Sequence, residues 1–286
     1  MRNITRDTIT EAVTRSFSRI GDERTKLLIA RLIDHLHAYA REVDLTPDEW
    51  KRAIDFLYRA GKISDEGRNE FILTSDVLGL SSLIDMLQTG AGSTERSALG
   101  PFHAPDSPLL EVGGDLARAN TGEKMLVRGR VLDGDGKGIA GATLDFWQAA
   151  TNGLYWQQDP DQDRNNLRCA MRADREGRYA FTTVTPAPYT VPYDGPVGDL
   201  LRAGKRRAWR PAHFHFIVEA AGFRPLTTEL FFADDPYLDE DAVFGVREAL
   251  VTRIARRSDA GDAGRYALPD PFPLVEYDFR LSQKTD

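Results

Sequence analysis

Beyond Lys124 the chain is a succession of short runs rich in β-branched and aromatic residues: MLVRGRVLD, ATLDFWQA, RYAFTTV, AHFHFIVEA and LTTELFFA, broken by Gly, Asp and Pro. Such runs, punctuated by turn formers, make strands, and several in series build a sandwich or barrel. One late segment, DEDAVFGVREALVTRI (Asp239–Ile254), fits a helix and an extended piece equally well. The expectation is a mainly β protein whose second domain, residues 96–286, is a β-sandwich.

The first 90 or so residues carry a different period. In LTPDEWKRAIDFLYRAGK, Thr46 stands as N-cap, Pro47 at the first helical position and Glu49 completes a capping box. Trp50, Ile54, Leu57 and Tyr58 recur at helical spacing, and Gly61 is the expected stop. Leu27, Leu28, Leu32, Leu36 and Tyr39 repeat the period over Glu23–Val43, and SDVLGLSSLIDMLQ (Ser75–Gln88) again opens on a capping residue. These segments predict a helical N-terminal domain, residues 1–95, acting as a separate layer or a dimerisation element. Between Gly90 and Ala119 the composition shifts to Gly, Pro and Ser, with Pro101, Pro105 and Pro108. An irregular connection of that length in a compact domain is often functional.

Composition excludes several classes. At 41 % hydrophobic and 28 % charged the chain is ordinary soluble material, and its net charge of −7 argues against nucleic acid as a partner. The basic run GKRRAWR (Gly204–Arg210) is short and reads as a solvated loop. A single cysteine, Cys169, permits no intrachain disulfide and reads as a packed thiol. With no leader and no apolar stretch of spanning length, the chain reads as cytoplasmic and not membrane-bound.

Three motifs fail. Gly136-x-Gly138-x-x-Gly141 imitates a dinucleotide fingerprint but precedes the strand-like ATLDFW, so it reads as a hairpin. Asp159, Asp161 and Asp163 have calcium-loop spacing, yet Arg164 and Ala170 occupy the positions that need Gly and Glu. His35 and His37 sit on a helix, where residues two apart face different directions and cannot chelate one ion.

On a strand the same spacing has the opposite meaning. In RPAHFHFIVEA, His213 and His215 share one face and Phe214 and Phe216 take the other. Two adjacent imidazoles beside an aromatic core suit a metal: zinc, copper or iron. His103 and Cys169 would serve a zinc or copper centre, whereas a hard ferric ion accepts phenolate oxygen, available from Tyr155, Tyr189 or Tyr193. Free phenol has a pKa of about 10, so only a strongly polarising cation would hold one ionised at neutral pH.

Three stretches in order, NGLYWQQD, YAFTTVTPAPYTVPYDGP and RPAHFHF, resemble the signature of the intradiol ring-cleavage dioxygenases, non-haem Fe(III) enzymes that open catechols. The resemblance covers nearly the whole chain. It implies one Fe(III) per subunit, held by Tyr155, Tyr189, His213 and His215, with Tyr193 competing for the second tyrosine role. Tyr189 would be both ligand and base, and Arg210 would stabilise negative charge on the activated substrate. At Glu229 many relatives carry Gln, which leaves a paired, non-catalytic carboxylate as an alternative there. EFILTSDVLGLSSLID and YLDEDAVFGVREAL are most similar to the hydroxyquinol 1,2-dioxygenase subgroup, which cleaves benzene-1,2,4-triol with O2 to 3-hydroxy-cis,cis-muconate or maleylacetate. On that resemblance the pocket contacts are Leu73, Asp76, Ala98, Leu99, Gly100, Pro101, Phe102, Val191, Pro192 and Val243. Asp76 would accept a hydrogen bond from the additional hydroxyl, or serve as a helix N-cap. The alternative substrate is catechol or a substituted catechol. The resemblance also implies a homodimer paired through the N-terminal helices, with a phospholipid-like molecule between the subunits.

Two rivals remain at this point. VRGRVLDGDGKGIAGATLDFW also resembles the hairpin of transthyretin-like and carbohydrate-associated modules, which would make the sandwich a binding or spacer domain. A zinc hydrolase built on His213 and His215 is the other.

Overall fold

The computed structural model describes residues 4–65, 67–118 and 120–284. Residues 1–3 and 285–286, at the ends of the two expected domains, and Ala119, at the end of the irregular stretch, lie outside the described residues. Two compact units divide between Arg59 and Ala60, not at the expected 95/96.

In the first unit, α1 (Ile9–Ser16) and α2 (Glu23–Glu42) pack together, and α3 (Pro47–Ile63) begins. Asp22 caps α2 by accepting from the Thr25 amide at 2.6 Å. The Thr46 box forms: the Thr46 amide donates to Glu49 at 2.9 Å and the Glu49 amide to Thr46 Oγ1 at 3.3 Å. Gly61 does not stop α3, which continues to Ile63; one glycine weakens a helix by only about 1 kcal/mol. His37 Nδ1 bonds Thr10 Oγ1 at 3.0 Å, so it ties α1 to α2. The apolar stripe is left uncovered: Leu27, Leu28, Leu32, Leu36 and Tyr39 on α2 are 47–56 % exposed, as are Trp50, Ile54 and Leu57 on α3.

The second unit opens with α4 (Glu70–Val77) and α5 (Leu80–Gln88). Asn69 caps α4 by accepting from the Phe71 and Ile72 amides, both at 3.1 Å. Ser75 and Asp76 therefore lie inside a helix rather than at its start, which removes the N-cap reading of Asp76. Left-handed Gly79 (φ 75°) makes the turn into α5. These two helices belong to the β unit because their bonds go there. Buried Glu70 accepts from the Val197 amide at 3.0 Å, and Ser82 donates to the Phe244 carbonyl at 2.8 Å.

Two sheets follow. One has the order β1 (Gly114–Asp115), β5 (Arg178–Val184), β2 (Lys124–Leu132), β12 (Phe272–Glu276), β11 (Ala255–Arg257), with β13 (Phe279–Arg280) also pairing β2. The other has the order β10 (Val251–Thr252), β9 (Leu226–Phe232), β8 (His213–Glu219), β3 (Thr143–Gln148), β4 (Arg168–Arg172). A small hairpin joins β6 (Tyr189–Thr190) to β7 (Trp209–Arg210), with α6 (Pro196–Ala203) between them and α7 (Ala260–Tyr266) later in the chain. The glycine-rich stretch expected as a hairpin makes a tight turn, with the Asp133 amide bonded to the Lys137 carbonyl at 2.9 Å and an isolated bridge between Leu132 and Gly138, but it passes the chain from β2 in one sheet to β3 in the other. Asp239–Ile254 is neither a regular helix nor a long strand: two single 3-10 turns and β10 flank an irregular 241–247.

The sheets pack face to face through phenylalanines. Phe146 of β3 lies 4.5 Å, ring to ring, from Phe181 of β5, and Phe214 and Phe216 of β8 join the same core. Cys169 is buried there as well. Alternation along β8 then turns His213 and His215 to the opposite face. Among the described residues no helix is long and apolar enough to cross a membrane.

Candidate metal centre

The face of β8 and β9 turned away from the core carries a row of residues fixed by strand register. Trp147 of β3 stands opposite His215, and Glu229 of β9 stands opposite it on the other side. The Trp147 indole is stacked on the His215 ring, 4.8 Å between centroids and 4° from parallel. From the irregular stretch, Gly100 (φ 69°) lies so close that a Cβ would approach His215 Cε1 to 3.1 Å. Two tyrosines arrive from other elements. Tyr189 comes from β6, and Tyr155 from a tight turn at Gly153 (φ 79°), where a Cβ would sit 3.2 Å from the Pro188 carbonyl. Phe102 stacks on the Tyr155 ring at 4.3 Å.

These four side chains converge. Tyr155 Oη lies 3.5 Å from Tyr189 Oη, Tyr189 Oη 3.4 Å from His213 Nε2, and His213 Nε2 3.1 Å from His215 Nε2. Bonds of about 2.0–2.2 Å to one ion would separate neighbouring donors by roughly 3.0–3.5 Å, so the spacing fits a single metal. Tyr193, the competitor, is 53 % exposed on the cavity rim. His103 lies elsewhere, bonded to Asp145 at 3.1 Å.

Protonation supports the same reading. His213 Nδ1 donates to the Pro211 carbonyl at 2.7 Å, which leaves the Nε2 lone pair facing the centre. Burial, then the neighbouring Arg210 charge, lower the His213 pKa to about 4; burial also holds His215 well below its usual value. Both imidazoles are therefore neutral at neutral pH, the form in which imidazole can bind a metal. Burial raises both phenols, Tyr155 and Tyr189, so each stays protonated unless a cation is present.

Glu229 also stands close: His213, His215 and Glu229 form a buried group whose donor atoms all lie within 4.8 Å. The carboxylate is already engaged. Arg210 Nη1 donates to Oε1 at 2.8 Å and Nη2 to Oε2 at 3.1 Å, and Ser97 Oγ donates to Oε2 at 2.6 Å. Burial alone would raise the Glu229 pKa, but the Arg210 guanidinium outweighs it and holds the group ionised. Asp241, also buried, is paired with Arg210 as well. One guanidinium against two carboxylates leaves the Arg210–Glu229–Asp241 cluster with formal charge −1, which a bound cation would offset.

A cavity of about 450 Å³ opens onto Tyr189 and Arg210. Of the expected pocket contacts all line it except Leu73, buried within α4, and Leu99, which is 45 % exposed. Leu154, Gln158, Thr190, Tyr193 and Asp194 line it too. The sequence carried a signal for those near Tyr155 and Val191, since they belong to the same turns. It carried none for Ser97 or Asp241, whose partners lie far along the chain. Burial raises the Asp76 pKa, opposed by its bond to Ser81.

A dioxygenase family model matches residues 107–283, and a catechol dioxygenase N-terminus model matches residues 22–95. The chain belongs to the intradiol ring-cleavage dioxygenases. Among these dioxygenases, a hydroxyquinol 1,2-dioxygenase from a Rhizobium species is 42 % identical over 96 % of this chain and 94 % of its own. A crystallised hydroxyquinol 1,2-dioxygenase from Pseudomonas putida is 42 % identical, covering 98 % of this chain and 99 % of its own, with a TM-score of 0.90. A catechol 1,2-dioxygenase from Pseudomonas arvilla is 32 % identical over 97 % of this chain and 92 % of its own, with a TM-score of 0.81. Family membership removes the spacer-module and zinc-hydrolase readings.

Proposed function

We propose that the chain is a cytoplasmic hydroxyquinol 1,2-dioxygenase that uses one Fe(III) per subunit and O2 to open benzene-1,2,4-triol between its adjacent hydroxyl-bearing carbons. The product is 3-hydroxy-cis,cis-muconate or its tautomer maleylacetate. The observation that carries this reading is the convergence of two phenol oxygens and two imidazole nitrogens beside a cavity that also holds the carboxyl of Asp76. Tyr155, Tyr189, His213 and His215 would hold the ion, since two phenolates and two neutral imidazoles match a hard trivalent cation. When bound, Fe(III) supplies Lewis acidity that ionises the phenols and the diol and makes the diolate reactive toward O2.

The remaining steps belong to the side chains. Tyr189, which lines the cavity where Tyr155 does not, takes a proton from the incoming diol at its phenolate oxygen. Tyr155 is walled in by Phe102 and stays in place. Arg210 presents an N–H to the negative charge that develops on the ring oxygens. Asp76 accepts a hydrogen bond from the third hydroxyl. Phe102, Val191 and Pro192 form the apolar wall that limits water. Glu229 takes no proton; it holds Arg210. The helices before residue 95 pair two copies through the exposed stripe of α2 and α3, with a phospholipid-like molecule between them, which would bury apolar surface left open in one chain.

Oxygen uptake measured in parallel on benzene-1,2,4-triol and catechol tests the reading, together with the visible spectrum. The expected protein is red-brown from tyrosinate-to-Fe(III) charge transfer and turns over the triol faster. Faster catechol turnover would favour the alternative substrate; colourless, iron-free, inactive protein would overturn the reading altogether.

A further inference from the structure

We propose that Asp241 is a positioning residue: with Glu229 it locks the Arg210 guanidinium so that a single N–H remains for the substrate. This rests on the dioxygenase reading above and adds a residue to it. A guanidinium carries five N–H donors. Asp241 takes two of them, Nε to Oδ1 at 3.1 Å and Nη2 to Oδ2 at 3.3 Å. Glu229 takes two more, Nη1 to Oε1 at 2.8 Å and Nη2 to Oε2 at 3.1 Å. The remaining hydrogen is on Nη1, whose one further contact is a hydrogen bond to His213 Nε2 at 3.2 Å; it would be released to the substrate when a metal ion takes that nitrogen's lone pair. Two carboxylates more than cancel the charge of Arg210, so what it offers the substrate is one aimed donor rather than a diffuse positive field.

Asp241 is itself held in place. It accepts from the Val243 amide at 3.3 Å and the Gly245 amide at 2.8 Å, and Val243 lines the substrate cavity. Gly245 leaves no room for any side chain. A Cβ there would lie 2.7 Å from Arg210 Nη2 and 2.9 Å from both Asp241 Oδ2 and Glu229 Oε2. The irregular segment 241–247 thus serves two ends at once, the pocket wall and the direction of the Arg210 donor.

Two measurements decide it. In iron-loaded protein, Asp241→Asn should lower kcat on benzene-1,2,4-triol by about tenfold or more, leaving KM, iron content and the charge-transfer band little changed. Gly245→Ala, which pushes on the guanidinium and on both of its carboxylate partners, should give the same pattern. In metal-free protein, Asp241→Asn should lower Tm when Arg210 is present. In an Arg210→Met background it should raise Tm, because it then removes one of two unpaired buried carboxylates. Unchanged kcat in Asp241→Asn, or the same Tm change in both backgrounds, overturns the proposal. If the unsubstituted chain cleaves neither benzene-1,2,4-triol nor catechol, the dioxygenase reading falls, while the melting comparison still decides whether Asp241 holds Arg210.

Discussion

The α2–α3 surface and the β8–β9 face depart from the usual partition of residues in opposite senses. On α2 and α3, leucines and a tryptophan stay about half exposed. On β8 and β9, His213, His215, Glu229 and Arg210 beside them are almost wholly buried. Both departures are unfavourable for an isolated chain, and each points to something the chain binds. Exposed apolar surface asks for a second apolar surface; buried donors with a net negative charge ask for a cation.

Substitutions can break that contrast, and the largest effect should be at the donors. His213→Ala removes one of the four converging atoms, so iron content should fall and turnover should drop by about a thousandfold, ~4 kcal/mol of barrier. Oxygen uptake and metal analysis read this, and retained iron with full activity would remove His213 from the centre. Tyr189→Phe sharpens the assignment: some iron should stay while turnover slows severely. Normal turnover would move the role to Tyr193. On the opposite face of the same strand, Phe216→Ala leaves a hole in the core and should reduce stability by about 3–5 kcal/mol in denaturant unfolding. A smaller loss would mean the two faces are less distinct than the packing indicates.

Effects should shrink toward the cavity rim and the helices. Asp76→Ala should slow benzene-1,2,4-triol cleavage by roughly tenfold, as expected for losing one hydrogen bond to a carboxylate. Catechol cleavage should be nearly unaffected; equal losses on both substrates would count against Asp76 as the specificity contact. Leu32→Glu with Leu36→Glu alters only exposed positions, so monomer stability should move by no more than about 0.5 kcal/mol. The same pair should shift the oligomer toward monomer in light scattering, and an unchanged size would leave the α2 stripe without its assigned partner.

Legibility in the sequence follows the range of the interactions. Every run quoted from the β half corresponds to a strand, because alternation and turn chemistry are local. RCAMR and FPLVE became β4 and β12 with no such signal. The first has no β-branched residue, the second contains Pro273, and pairing with β3 and β2 is what extends them. The capping box at Thr46 was legible for the same local reason. The end of α3 and the start of α4 were not, since packing overrode a glycine and Asn69 supplied the cap that Ser75 was expected to provide.

The sequence by itself determined that His213 and His215 share a face, because side chains on any strand alternate, and that two tyrosine-bearing turns were available to meet them. Tertiary structure alone decided that Glu229 lies across from His215, that Asp241 grips Arg210, and that segment 241–247 becomes a pocket wall. Those contacts depend on strand register and loop placement between residues far apart along the chain, and no local preference encodes either.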